Sequence, residues 1–213
     1  MPGTGKPVLR KVCGITSAED AAHAVRAGAN AVGMVFYPPS PRAVMVAQAE
    51  KIVSDVPAGV RRVGVFVGES PATIADVMQR VPLDVVQLHG GESPDDYHAV
   101  RRAVGDGAEI WKAVRVGPRF DDSLLSGFAV DAFLLDTARK GLYGGTGEVF
   151  PWQLAVSAKR HGKIIISGGL DGENVAEAIR IARPWGVDSS SRLEREPGVK
   201  DPERVVRFLQ AAH

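Results

Sequence analysis

Eight short apolar runs recur along the chain, each followed by a stretch of helical character. That alternation restricts the fold more than any single motif does. The runs lie at 9–13, 31–36, 62–67, 85–89, 110–114, 132–136, 163–167 and 186–189. Helices are expected at 18–27, 46–55, 74–80, 94–104, 152–160, 174–182 and 202–211, with only a short one in the weaker segment at 118–128. Strands that are apolar throughout and separated by helices imply a parallel sheet covered on its faces. Eight such units predict an α/β fold, a single closed (β/α)8 TIM barrel. An open flavodoxin-like sheet normally uses about five and leaves too much chain over. At 213 residues the chain is near the lower end for a barrel, so its connections must be short. No linker or compositional shift divides it, and one domain is expected over 1–213, with 1–7 as a flexible lead-in.

Bulk properties narrow the function classes. Hydrophobic residues make up 45% and charged residues 24%, the balance of a soluble globular protein. A net charge of +1 without a lysine- or arginine-rich run gives no electrostatic footprint for nucleic acid. The single cysteine cannot close an intramolecular disulfide and leaves no thiolate pair for a structural zinc site. No apolar stretch approaches the roughly 18 residues that a membrane span requires. A cytoplasmic protein working on a small molecule, as monomer or homodimer, with no metal, is the expectation.

In a barrel the C-terminal ends of the strands surround one mouth, and the residues there should be polar. They are: Cys13, His89, Arg115, Asp136, Ser167 and Ser189. A cysteine acts as base or nucleophile only as its thiolate, and Lys11, two residues back on the same face, is the first group that could hold its pKa down. The plain alternative for Cys13 is a small buried hydrophobe. Asp136 ends an apolar strand, as a half-buried acid or as a cap for nearby backbone N–H groups. Gln87 and His89 share a face by period-two alternation and could equally be core hydrogen bonders. Between the second strand and its helix, Pro38, Pro39 and Pro41 stiffen the loop that carries Arg42. A guanidinium fixed in this way suits a bidentate grip on a carboxylate or phosphate.

Two Gly/Ser-rich turns follow the last two strands, SGGL at 167–170 and DSSS at 188–191. Barrels commonly build a phosphate site at this place from backbone N–H groups, which makes Gly168, Gly169, Ser190 and Ser191 the expected phosphate contacts. The run GGTG at 144–147 is not a dinucleotide fingerprint, since Phe150 stands where the third glycine belongs, and no P-loop run exists. No nucleotide cofactor is expected.

These residues together resemble the phosphoribosylanthranilate isomerases, the aldose-to-ketose isomerases of tryptophan biosynthesis. The matching stretches are KVCGIT at 11–16, FYPPSPR at 36–42, RVGVFV at 62–67, VQLHG at 86–90, LLD at 134–136, YGGTG at 143–147, SGGL at 167–170 and PGVKD at 197–201. They fall in family order over nearly the whole chain. The resemblance implies a (β/α)8 barrel and no cofactor, with Cys13 as general base, Asp136 as general acid and Arg42 on the anthranilate carboxylate. Lys11 and His89 complete the expected substrate-binding set for a small phosphoribosyl substrate. One departure stands out. The family usually reads DVSSGVE after the eighth strand, and here DSSSRLE occupies 188–194, placing Arg192 where a glycine is usual. If the turn keeps a positive φ there, Arg192 is strained, and a phosphate contact near Gly169 and Ser190 would offset that strain; the alternative is a rebuilt turn with Arg192 in solvent. Sister isomerases of histidine biosynthesis carry an aspartate where Cys13 stands. A non-catalytic phosphosugar-binding barrel would have no need of both Cys13 and Asp136.

Overall fold

Each apolar run becomes a parallel strand, and the eight strands close on themselves in sequence order, so that no sheet edge is left open. The structure is a computed structural model that describes residues 8–117, 120–137 and 150–213. The strands are β1 (Leu9–Cys13), β2 (Ala31–Phe36), β3 (Arg61–Phe66), β4 (Val85–Leu88), β5 (Glu109–Val116), β6 (Ala132–Thr137), β7 (Ile164–Ile166) and β8 (Gly186–Ser189). β1 pairs with β2 on one side and with β8 on the other, which completes the barrel. The helices are α1 (Ala18–Arg26), α2 (Val46–Ser54), α3 (Pro71–Arg80), α4 (Pro94–Val104), α5 (Gln153–Ala158), α6 (Val175–Ala182) and α7 (Pro202–Ala211). After β5 only a 3₁₀ turn, Asp122–Leu125, takes the helix position, in keeping with its weak apolar pattern.

Alternation along each strand makes two shells. Outward residues such as Val12, Val32, Phe66, Ile110, Phe133 and Val187 pack against the helices. Inward residues such as Leu9, Ala31, Val63, Val85, Trp111 and Ile165 fill the barrel. Each fully buried side chain of this size contributes roughly 1.5–3 kcal/mol relative to exposure. At the N-terminal end, Trp185 stands edge-on to Trp111 with ring centroids 5.8 Å apart. Arg61 and Lys163 lie 5.6 and 4.9 Å from its ring. A cavity lies at the other end.

Caps set the helix starts. Ser17, Ser70 and Ser93 each accept from a backbone N–H in the first turn, and Asp201 accepts from Glu203 and Arg204. Ser70 followed by Pro71 starts α3 three residues ahead of the expected 74, because proline fits the first helical position. β7 is shorter than expected, yet the ladder persists at both ends: Lys163 accepts from the Phe133 amide and the Ser167 amide donates to Leu135. After β8 the chain makes a 3₁₀ turn, Ser191–Leu193, and then a small antiparallel hairpin, β9 (Glu194–Glu196) with β10 (Val199–Lys200), which the sequence pattern did not announce. Among the described residues no helix is long and apolar enough to cross a membrane.

Candidate active site

A cavity of about 290 Å³ opens at the C-terminal ends of the strands. Cys13 reaches it from β1, Gln87 and His89 from β4 and the residue following it, and Asp136 from β6. Ser167, Gly168 and Gly169 reach it from the turn after β7, and Ser190, Ser191 and Arg192 from the turn after β8. Arg42 covers one side from the loop after β2. Of the expected rim residues Arg115 does not line it; it has inward parity on β5, but the residue is exposed. The YGGTG stretch at 143–147, with its GGTG run, lies outside the described residues, as do 1–7.

Lys11 corrects one expectation. It is fully buried beneath Cys13 and does not line the cavity, so it is not placed to touch a ligand. Its ammonium donates to Asp188 Oδ1 at 2.9 Å, and the other oxygen of that carboxylate accepts from Ser167 Oγ at 3.0 Å. Gly33, level with Cys13 across the β1–β2 ladder, makes room for the arrangement. A Cβ there would lie 2.8 Å from Cys13 Sγ and 3.1 Å from Lys11 Cε. Burial is the largest influence on Cys13 and pushes the thiol above its ordinary pKa. The charge and hydrogen bond of Lys11 pull the other way but do not overcome it, and Asp188 adds to the rise. For Lys11 burial is again the largest influence, yet Asp188 and Cys13 outweigh it and the ammonium is held above its ordinary pKa. The lysine therefore limits the rise at Cys13 without reversing it.

Across the mouth, Asp136 is buried, and its Oδ2 lies 3.4 Å from His89 Nε2. His89 Nδ1 is 2.9 Å from Gln87 Nε2. With the amide in this orientation Gln87 donates to Nδ1, so the ring proton sits on Nε2 and faces Asp136. The buried Gln87 Oε1 has no hydrogen-bond partner among the described residues. Reversing the amide would pair that oxygen with a proton on Nδ1 and present a bare Nε2 to a protonated Asp136. The Gln87–His89 pair can thus serve either protonation state of the acid.

The two turns after β7 and β8, on neighbouring strands, both line the cavity. Gly168 and Gly169 have φ of 86° and 72°, and their amides make no hydrogen bond to the described residues. Ser189 Oγ donates to Leu170 O at 2.6 Å and ties the turns together beneath the surface. Arg192 lines the cavity from a rebuilt turn. Its φ is not positive, because the turn has closed into a 3₁₀ conformation that any residue adopts, so there is no strain to offset. Its side chain is 45% exposed and pairs with Asp171 at 2.8 Å on the rim. Arg42 is also already engaged: it forms a two-pronged ion pair with the buried Glu194. Glu194 and Lys200, hidden in the short hairpin, and Asp188, at the end of an apolar strand, are site residues for which sequence reasoning assigned no role. The only signals were the place of Lys200 inside the matching stretch at 197–201 and of Glu194 at the end of the 188–194 run, where the family also carries a glutamate.

A profile of the family described as N-(5'phosphoribosyl)anthranilate (PRA) isomerase matches residues 10–211. The chain belongs to that family. It is 46% identical over 205 residues to N-(5'-phosphoribosyl)anthranilate isomerase of Solibacter usitatus, covering 96% of this chain and 97% of the relative. Among solved structures, phosphoribosyl anthranilate isomerase from Thermotoga maritima superposes with a TM-score of 0.86 at 39% identity, over 96% of this chain and 98% of that one. A second, a complex of such an isomerase with reduced 1-(o-carboxyphenylamino)-1-deoxyribulose 5-phosphate, gives a TM-score of 0.81 at 37% identity over 96% and 98%. The barrel and the family agree.

Proposed function

We propose that the chain is a phosphoribosylanthranilate isomerase in which Cys13 and Asp136 divide the proton transfers. The observation that carries this reading is that the chain's one thiol and a buried carboxyl line the same cavity from β1 and β6, within a barrel of this family. The substrate, N-(5-phosphoribosyl)anthranilate, enters with its ribose ring closed. Protonated Asp136 gives its proton to the ring oxygen, the C1–O bond breaks, and the anthranilate nitrogen supplies the electron pair that forms the Schiff base. The cationic C=N makes the C2 proton acidic, and the Cys13 thiolate removes it. The enolamine that results takes a proton at C1 and loses the enol proton, giving 1-(2-carboxyphenylamino)-1-deoxyribulose 5-phosphate.

The starting state needs the thiol ionised and the acid protonated. Lys11 favours the first by its charge, and His89 can accommodate the second through the tautomer that Gln87 sets. The phosphate is read as resting on the amides of Gly168 and Gly169 with Ser190 and Ser191 alongside, while Arg192 braces the rim through Asp171. Arg42 is read as the partner of the anthranilate carboxylate, with His89 beside the reacting sugar. Such a remote grip at both ends fixes C2 and the ring oxygen between base and acid. The reading carries with it a cytoplasmic enzyme acting on a small phosphoribosyl substrate. Decay of anthranilate fluorescence on turnover tests it. Cys13→Ala and Asp136→Asn are each expected to lower kcat by at least about a hundredfold while leaving the circular dichroism unchanged. Near-normal turnover in Cys13→Ala would return the thiol to a packing role.

A further inference from the structure

Arg42 does not stand free over the cavity. Its Nε–H donates to Glu194 Oε1 at 2.8 Å and its Nη2 donates to Oε2 at 2.7 Å, so one full edge of the guanidinium is taken. What remains is the edge formed by Nη1 and the second proton of Nη2, and Arg42 lines the cavity. Glu194 is held from the other side by Lys200, whose ammonium donates to Oε1 at 2.8 Å and to the Ser190 carbonyl at 3.2 Å. Both Glu194 and Lys200 are buried, brought face to face by the β9–β10 register. Burial alone would push the Glu194 carboxyl up, but its hydrogen bonds and the two cations hold it below the ordinary range. Gly14 completes the fit. It has φ of +72°, and a Cβ there would come within 2.7 Å of both the Arg42 Cδ and the Ser190 Oγ. The three charged side chains together carry one net positive charge, which a single carboxylate would neutralise.

We propose that Glu194, braced by Lys200, is the residue that sets the enzyme's preference for a carboxylate on the aryl ring, by turning the open edge of Arg42 toward the ligand. This rests on the reading of Arg42 as the carboxylate partner. An arginine on a loop has many rotamers, and a planar fork loses its advantage unless one orientation is imposed. Glu194 imposes it without competing for the edge that the ligand uses. It is a positioning residue and touches no reacting atom. Because Lys200 also holds Ser190, the same brace links the two ends of the bound molecule.

The test is the ratio of two affinities measured on the full chain: reduced 1-(o-carboxyphenylamino)-1-deoxyribulose 5-phosphate against its phenylamino counterpart without the carboxylate. In Glu194→Gln the preference for the carboxylated compound should fall at least about fivefold, with affinity for the counterpart nearly unchanged. Arg42→Ala should lose the same preference, and Arg42→Ala combined with Glu194→Gln should be no worse than Arg42→Ala alone. If Arg42→Ala keeps the preference, the reading of Arg42 itself is wrong. If Arg42→Ala loses it and Glu194→Gln keeps it, the reading of Arg42 stands and the positioning role is refuted. Should Glu194→Gln not fold because Lys200 is left buried without a counter-charge, Glu194→Gln with Lys200→Met replaces it, and the same ratio decides.

Discussion

At the scale of single residues the site is a contest between burial and charge, and Cys13 shows it most clearly. A thiol sunk at the end of β1 resists ionisation, and Lys11 below it limits that resistance, while Asp188 takes part of the lysine's effect away. The sign of the pH dependence follows. With the folded pKa raised, the thiolate fraction should climb with pH through neutrality and on into the alkaline range. Alkylation of Cys13 by iodoacetamide should titrate above the ordinary thiol value, and Lys11→Met should move the midpoint higher still. A midpoint at or below the ordinary value would mean that the charge of Lys11 dominates after all. The sequence showed Lys11 and Cys13 on one face, which the barrel bears out. It could not show that the lysine is fully enclosed, because Asp188 is 177 positions away and its approach depends on closure of β8 on β1.

At the scale of elements, the strands could be read to within a residue or two because both of their faces are buried and their composition says so. Loops were legible only where a residue type forces a shape. The prolines before Arg42 do so, and the Pro197-Gly198 hairpin, too short and too charged for a periodic pattern, does not. The same blindness hid a clasp between the loops after β3 and β4. Glu92, whose side chain is only 7% exposed, accepts from Lys112 Nζ at 2.6 Å, from the Gly68 amide at 2.9 Å and from the Gly90 amide at 2.9 and 3.0 Å. Gly90 follows His89, so the clasp anchors the loop that carries the imidazole. Breaking one side of a buried pair costs about 3 kcal/mol, because the other charge is stranded. Glu92→Ala should lower the urea-derived stability by about that amount at neutral pH. Burial raises this carboxyl, but Lys112 and the amides outweigh it and hold it below its ordinary pKa. Its contribution is therefore complete above the unfolded value and fades as pH falls through the folded one. The gap between wild type and variant should narrow in acid, and a gap independent of pH would mean that Glu92 contributes only packing.

At the scale of the whole molecule, the barrel is what makes a site from residues scattered over the chain. Cys13 and Asp136 are read as base and acid, the turns after β7 and β8 as the phosphate cradle, and Arg42 and Glu194 as the far end. Neighbours in the ring β6-β7-β8-β1 bring most of them together, although β1 and β8 stand at opposite ends of the sequence. The cavity therefore exists only while the barrel is closed. Local opening at the β1–β8 seam would part Lys11 from Asp188 and separate Cys13 from the phosphate turns. A ligand that needs all of these should bind the folded state alone, and its binding energy should appear in global unfolding. With the reduced product analogue at a hundred times its Kd, stability should rise by about 2.7 kcal/mol. The urea midpoint should move with the m-value unchanged, since the same surface is exposed on unfolding. Amide hydrogens of β1 and β8 should gain protection by the same amount. A smaller rise, with protection gained only in the turns after β7 and β8, would show that half of the barrel holds the phosphate by itself.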